Sequence, residues 1–115
     1  MNESAVLDAV ALVGSIDFGT ADEAACRAVL EHSKLGRGFF DSAEAMATSR
    51  LGALHETAGG APPADLLSKC GRVSAAEGKR KERRSKTIEE APSFGDALAS
   101  GAIGAEHVDA LANAT

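Results

Sequence analysis

At 115 residues and a formal net charge of −5, the chain has room for one modest core and not for two. Four Phe and no Trp or Tyr leave burial to Ala, Leu, Val and Ile, a composition that favours helices. No apolar run approaches the roughly 18 residues of a membrane span; the acidic opening MNESAVLDAVALVG is unlike a secretory signal, and the isolated Cys26 and Cys70 point to a reducing cytoplasm, not a disulfide framework.

The elements follow in chain order. Asn2 or Ser4 can cap a first helix to Val13, with Val6, Leu7, Val10 and Val13 at helical spacing. Gly14 ends it, and Ile16 and Phe18 are expected to tuck into the core from the next loop. Thr20-Ala-Asp-Glu23 reads as a capping box. From it Cys26, Val29, Leu30, Phe40, Met46, Ala47, Leu51 and Leu54 trace a stripe along one long helix. Gly36 and Gly38 interrupt that stripe at about 1 kcal/mol each relative to Ala, so a bend or break is expected there. Gly59-Gly60-Ala-Pro-Pro stops the helix.

Pro63 opens a two-turn helix that buries Leu66 and Leu67 and ends at a Gly71 cap. Ser74-Ala-Ala-Glu77 is a second capping box, and its helix runs to Ala91 before Pro92. The apolar stripe of this helix is thin (Val73, Gly78, Ser85, Ile88), and its small residues suggest close contact with another helix. Ser93 is expected to cap a short helix with Phe94, Ala97 and Leu98 inward and Gly101 as its stop. Ile103 and Val108 have the spacing of a hydrophobic staple around Gly104 and open a last helix carrying Leu111. No period-2 apolar run of useful length occurs. The expected fold is all-α, an irregular bundle of one long helix and several short ones, forming a single domain over residues 1–115.

Catalytic patterns are missing. His32, His55 and His107 are far apart, and there is no HExxH, CxxC or mixed Cys/His set. His55 near a helix end suits the dipole, and His107 in a first helical turn suits a solvent-facing or a local capping role. Cys26 reads as a small buried hydrophobe. The glycines lack phosphate-loop spacing. The chain itself therefore calls for no cofactor and no small-molecule ligand.

Charge is the informative feature. Arg72, Lys79, Arg80, Lys81, Arg83, Arg84 and Lys86 face only Glu77 and Glu82 within their segment, a local balance of +5, against −10 for the remaining residues. On a helix Lys79, Arg83 and Lys86 share one face, and Arg80 and Arg84 share an adjacent one. Such an array can follow a phosphate backbone, although no aromatic side chain interleaves with it for base stacking. The same array also suits a solvated helix face neutralised by the acidic remainder.

The pieces ADLLSKCG, RVSAAEGKRKERRSK, IEEAP and DALASGAIGAEHVDAL, spread over Gly60 to Asn113, resemble the actinobacterial domain of unknown function 222 family, which includes the mycobacterial REP13E12 repeat proteins. Asp96 to Leu111 is the most specific piece, and Gly104 stands where that family usually has Ser or Thr. The resemblance implies a helical N-terminal region placed ahead of an HNH nuclease module, in a DNA-related and mobile-element-associated protein. The divalent metal and the His general base would belong to that downstream module, so this chain alone is expected to be no enzyme. The seven basic residues from Arg72 to Lys86 become candidates for DNA contact. An alternative is a structural module in which the long helix mediates self-association or docking to a partner domain. As the start of a longer architecture, the last helix is expected to leave Val108 and Leu111 weakly held and its final turn poorly ordered.

Overall fold

A computed structural model describes residues 3–114, with side chains through Asn113. Six helices and no strand occur among these residues: α1 (Glu3–Gly14), α2 (Glu23–Ala58), α3 (Pro63–Gly71), α4 (Ala75–Glu90), α5 (Pro92–Ala99) and α6 (Ala105–Ala114). The fold is all-α. Its long axis of 52 Å is set by α2, whose 36 residues span about 54 Å at 1.5 Å per residue.

The helix starts follow local chemistry, with shifts. Asn2 lies outside the described residues. Thr20 does not cap α2; the Asp22 carboxylate accepts the Ala25 N–H at 2.8 Å instead. A carboxylate at a helix start gains from the dipole as well as from the hydrogen bond. Ala91 closes α4 and also precedes α5, whose first residue is Pro92. The cap expected at Ser93 is therefore not made, and α5 starts without a side-chain cap hydrogen bond.

The face of α2 turned to the core differs from the expected stripe. Gly38, Ser42, Ala45 and Thr48 are buried, whereas Cys26, Leu30, Phe40, Met46, Ala47 and Leu54 are exposed. Small residues let α4 and α5 come close, and that close approach selects the buried face over side-chain hydrophobicity. Gly38 marks the crossing: a Cβ there would collide with the carbonyl oxygen of Leu98 at the end of α5. Helix α2 accordingly runs unbroken through Gly36 and Gly38. The Ser42 hydroxyl donates to the Gly95 carbonyl at 3.3 Å across the same α2–α5 contact.

On α1 only a narrow strip is covered. Val6 and Ala9 are buried, but Leu7 and Val10 are at least 60% exposed. Phe18, expected inward, is 62% exposed. Helix α1 packs against α2, and a helix covered on one side buries a strip of residues three to four apart and leaves its other faces to solvent. At the other end, Val108 is fully buried together with Leu98, contrary to the weak hold expected for the last helix. Helix α6 packs along α4, while Leu111 stays 37% exposed. The chain is helical through Ala114, and Thr115 lies outside the described residues.

Candidate nucleic-acid interface

The basic segment lies on a tightly built pair of helices. Pro63 starts α3 at its first turn, where a missing N–H costs nothing. The next free donor, Ala64 N–H, is met by the Glu82 carboxylate of α4 at 3.1 Å. Three residues, Arg72-Val73-Ser74, connect the helices. Arg72, not Gly71, takes the left-handed cap conformation, with φ 55° and ψ 42°. Ser74 caps α4 by accepting the Glu77 N–H at 3.1 Å, as its Ser-x-x-Glu pattern suggests. Gly78 then sits against α3: a Cβ added to it would lie 2.8 Å from the Ala64 carbonyl oxygen and 3.2 Å from the Ser68 hydroxyl. Only glycine allows α3 and α4 this separation.

The seven basic residues separate into two groups. Lys81 and Arg84 point inward. Lys81 Nζ donates to Glu44 of α2 at 2.6 Å. Arg84 is 6% exposed, and its Nε and Nη2 form a two-bonded fork to the Asp109 carboxylate of α6, each bond 2.8 Å. The Asp109 hydrogen bond holds the Arg84 guanidinium above its ordinary range against the opposing effect of burial. These two cations therefore hold α4 to α2 and α6. Asp41, close to both, has its carboxyl pushed up by burial, with Arg84 and Lys81 pulling the other way.

The remaining five are at the surface. Arg80 pairs with Glu77 one turn away, and Lys86 lies 3.7 Å from Glu82. Lys79, Arg83 and Arg72 make no ion pair among the described residues. Lys79, Arg83 and Lys86 are all exposed and project from one side of α4, about a quarter turn or more round from the buried Gly78 and Ser85. Sequence reasoning placed Lys79 to Lys86 on one helix, but Arg72 falls in the turn before it, and Arg84, expected to share a face with Arg80, is buried while Arg80 is exposed. That reasoning missed Glu44 and Asp109, which decide which cations turn inward and lie 37 and 25 residues from their partners. No local pattern announces such pairs.

Two of the histidines have local duties. His107 Nδ1 accepts the Gly104 N–H at 3.2 Å, completing the cap of α6. The His55 ring bonds the Gly60 carbonyl at 2.7 Å, beyond the end of α2. Cys26 and Cys70 are free and exposed, so Cys26 is no core residue. Among the described residues, no three His, Cys, Asp or Glu side chains are grouped to hold a metal ion, and no helix is long and apolar enough to cross a membrane.

No family model matches the chain, and neither curated proteins nor solved structures provide a match.

Proposed function

We propose that this chain is a non-catalytic helical domain that associates with DNA through the outward face of α4, placed as the N-terminal region of an HNH-nuclease-type protein. The observation that carries the reading is the row Lys79, Arg83 and Lys86, exposed together at i, i+4 and i+7, with the inward cations already neutralised by Glu44 and Asp109. Fixed internal pairs leave the outward charges for a partner. The acidic remainder of the chain would repel a duplex elsewhere and so orient it onto this face. The likeness of Gly60–Asn113 to the domain of unknown function 222 family supports the same assignment, as does its usual nuclease context. Metal and general base are assigned to the downstream module. Two isolated thiols favour a cytoplasmic location.

A gel-shift titration at low salt tests this. The wild-type chain should retard a short duplex at micromolar protein, and Lys79→Glu/Arg83→Glu/Lys86→Glu should abolish the shift with the fold intact by circular dichroism. Absence of retardation, or an unchanged shift in the triple variant, sinks the DNA role.

A second reading has its own observation. Phe40, Ala47 and Leu54 repeat at seven-residue spacing on α2 and are exposed, Phe40 by 64%. Across a twofold axis through Ala47, Phe40 would face the Leu54 of a second copy, with the small Ala47 at the crossing. Light scattering separates this reading: a strict monomer at about 100 μM, far above the dissociation constants of specific dimers, removes it.

A further inference from the structure

We infer that α3, the turn Arg72-Val73-Ser74 and α4 form a helix-turn-helix unit that reads double-stranded DNA from the major groove, with the first turns of α4 as its recognition surface. The inference rests on the DNA reading above and deepens it, replacing general affinity for phosphates with sequence readout.

Four observations point the same way. The connection has the three-residue length of such units, and its first residue, Arg72, is the single non-glycine among the described residues with positive φ. This left-handed residue redirects the chain within one step. The residue six before the second helix's capping Ser74 is the small Ser68, whose hydroxyl lies against Gly78 of α4 beside the Ala64 carbonyl. Small residues on both sides of that contact bring the second helix close against the first. The contact is held at both ends. Glu82 caps the start of α3, and the Ser68 hydroxyl donates to the Ser74 carbonyl at 3.4 Å. Finally, the core leaves the right face open: Ala75, Ala76, Lys79, Arg80 and Arg83 are all exposed, whereas Gly78, Arg84 and Ser85 are buried.

The chemistry of that open face suits base edges. Ala75 and Ala76 are short enough to let the start of α4 enter a groove that admits a helix, and their methyl groups match the thymine methyl. Lys79 and Arg83, one turn apart, bring donors for the guanine N7 and O6 acceptors. Arg72 in the turn and Lys86 further along α4 are placed to hold phosphates, which fixes register without carrying sequence information. By contrast, a helix lying along the backbone would engage Lys86 as strongly as Lys79.

The test is selection of the intact chain against a random duplex pool, followed by titration of the selected duplex with Ala76→Glu and with Lys86→Glu. An acid in the first turn favours the helix, so Ala76→Glu keeps the fold, which a thermal melt verifies. Selection should enrich one motif, with Ala76→Glu weakening binding about 100-fold and Lys86→Glu only about fivefold. Binding without an enriched motif, or equal losses in the two variants, overturns the helix-turn-helix inference and leaves the DNA reading standing. Failure to bind any duplex at low salt overturns both.

Discussion

Two glycines of α2, two residues apart, have opposite roles. Gly38 lies under the Leu98 carbonyl, and Gly36 has nothing within 4 Å of where its Cβ would be. Gly36→Ala should therefore raise stability by about 1 kcal/mol through helix propensity. Gly38→Ala should lower it by about 3 kcal/mol, because α5 must back away from α2. Paired urea melts check both. Asp41 gives a pH prediction. Its carboxyl is raised above the ordinary value near 3.8, first by burial and then by Glu44, against Arg84, Lys81 and Arg37. A raised folded value means that the native state holds the proton more tightly than the unfolded chain does. Its contribution is thus complete below the ordinary value and is lost as pH climbs through the raised one. Asp41→Asn should be more stable than wild type at neutral pH, and the gap should close below pH 4. At this scale the sequence was a partial guide. The Ser74 cap was legible from spacing and a local cap was one of two roles open to His107, but Gly38 read as an interruption because the backbone crossing it belongs to a residue sixty positions away. Arg72, likewise, takes the left-handed position that Gly71 seemed made for.

Between elements, one ion pair matters most. The Arg84–Asp109 fork joins α4 to α6 with both side chains largely covered, 8% and 18% exposed. Arg84→Met leaves the carboxylate buried and unpaired and should cost on the order of 3 kcal/mol. Arg84→Met/Asp109→Leu removes both charges and should recover most of that loss, giving a large coupling in a double-mutant cycle followed by thermal unfolding. If the double variant is as unstable as the single one, the fork is not what holds α6. Element order and type were legible, since Pro, Gly and Ser-x-x-Glu signals mark most helix ends, while the starts of α2 and α5 lie a residue or more from the caps that spacing suggested. The inner face of α2 was not. Its Gly38, Ser42, Ala45 and Thr48 carry little hydrophobic signal, whereas Phe40 and Leu54 carry much and remain outside. A hydrophobic stripe reports a buried face only where packing is set by side-chain area, not by close backbone approach. The small residues of α4 were better guides, because Gly78 does meet α3 as its size suggested.

Over the whole molecule, the long axis and the charge divide the labour. A Cα radius of gyration of 16.1 Å exceeds the about 13 Å of a compact domain this long, which leaves much of α1 and α2 unshielded and α4 open along one side. The +5 segment was visible from composition, yet its partition was not: Lys81 and Arg84 pair with Glu44 and Asp109, and Lys79, Arg83 and Lys86 stay at the surface. The central claim concerns that row, and its salt dependence is the most direct measurement. Binding of a fluorescent duplex should be followed by anisotropy from about 50 to 200 mM salt, for wild type and for Lys79→Ala/Arg83→Ala/Lys86→Ala. On a duplex of unrelated sequence, where Lys79, Arg83 and Lys86 all meet phosphates and Arg72 adds a fourth contact, log K should fall against log salt with a slope of about −3.6, and the triple variant should retain a slope of about −0.9. Equal slopes for the two proteins, or wild-type affinity independent of salt, would contradict the account.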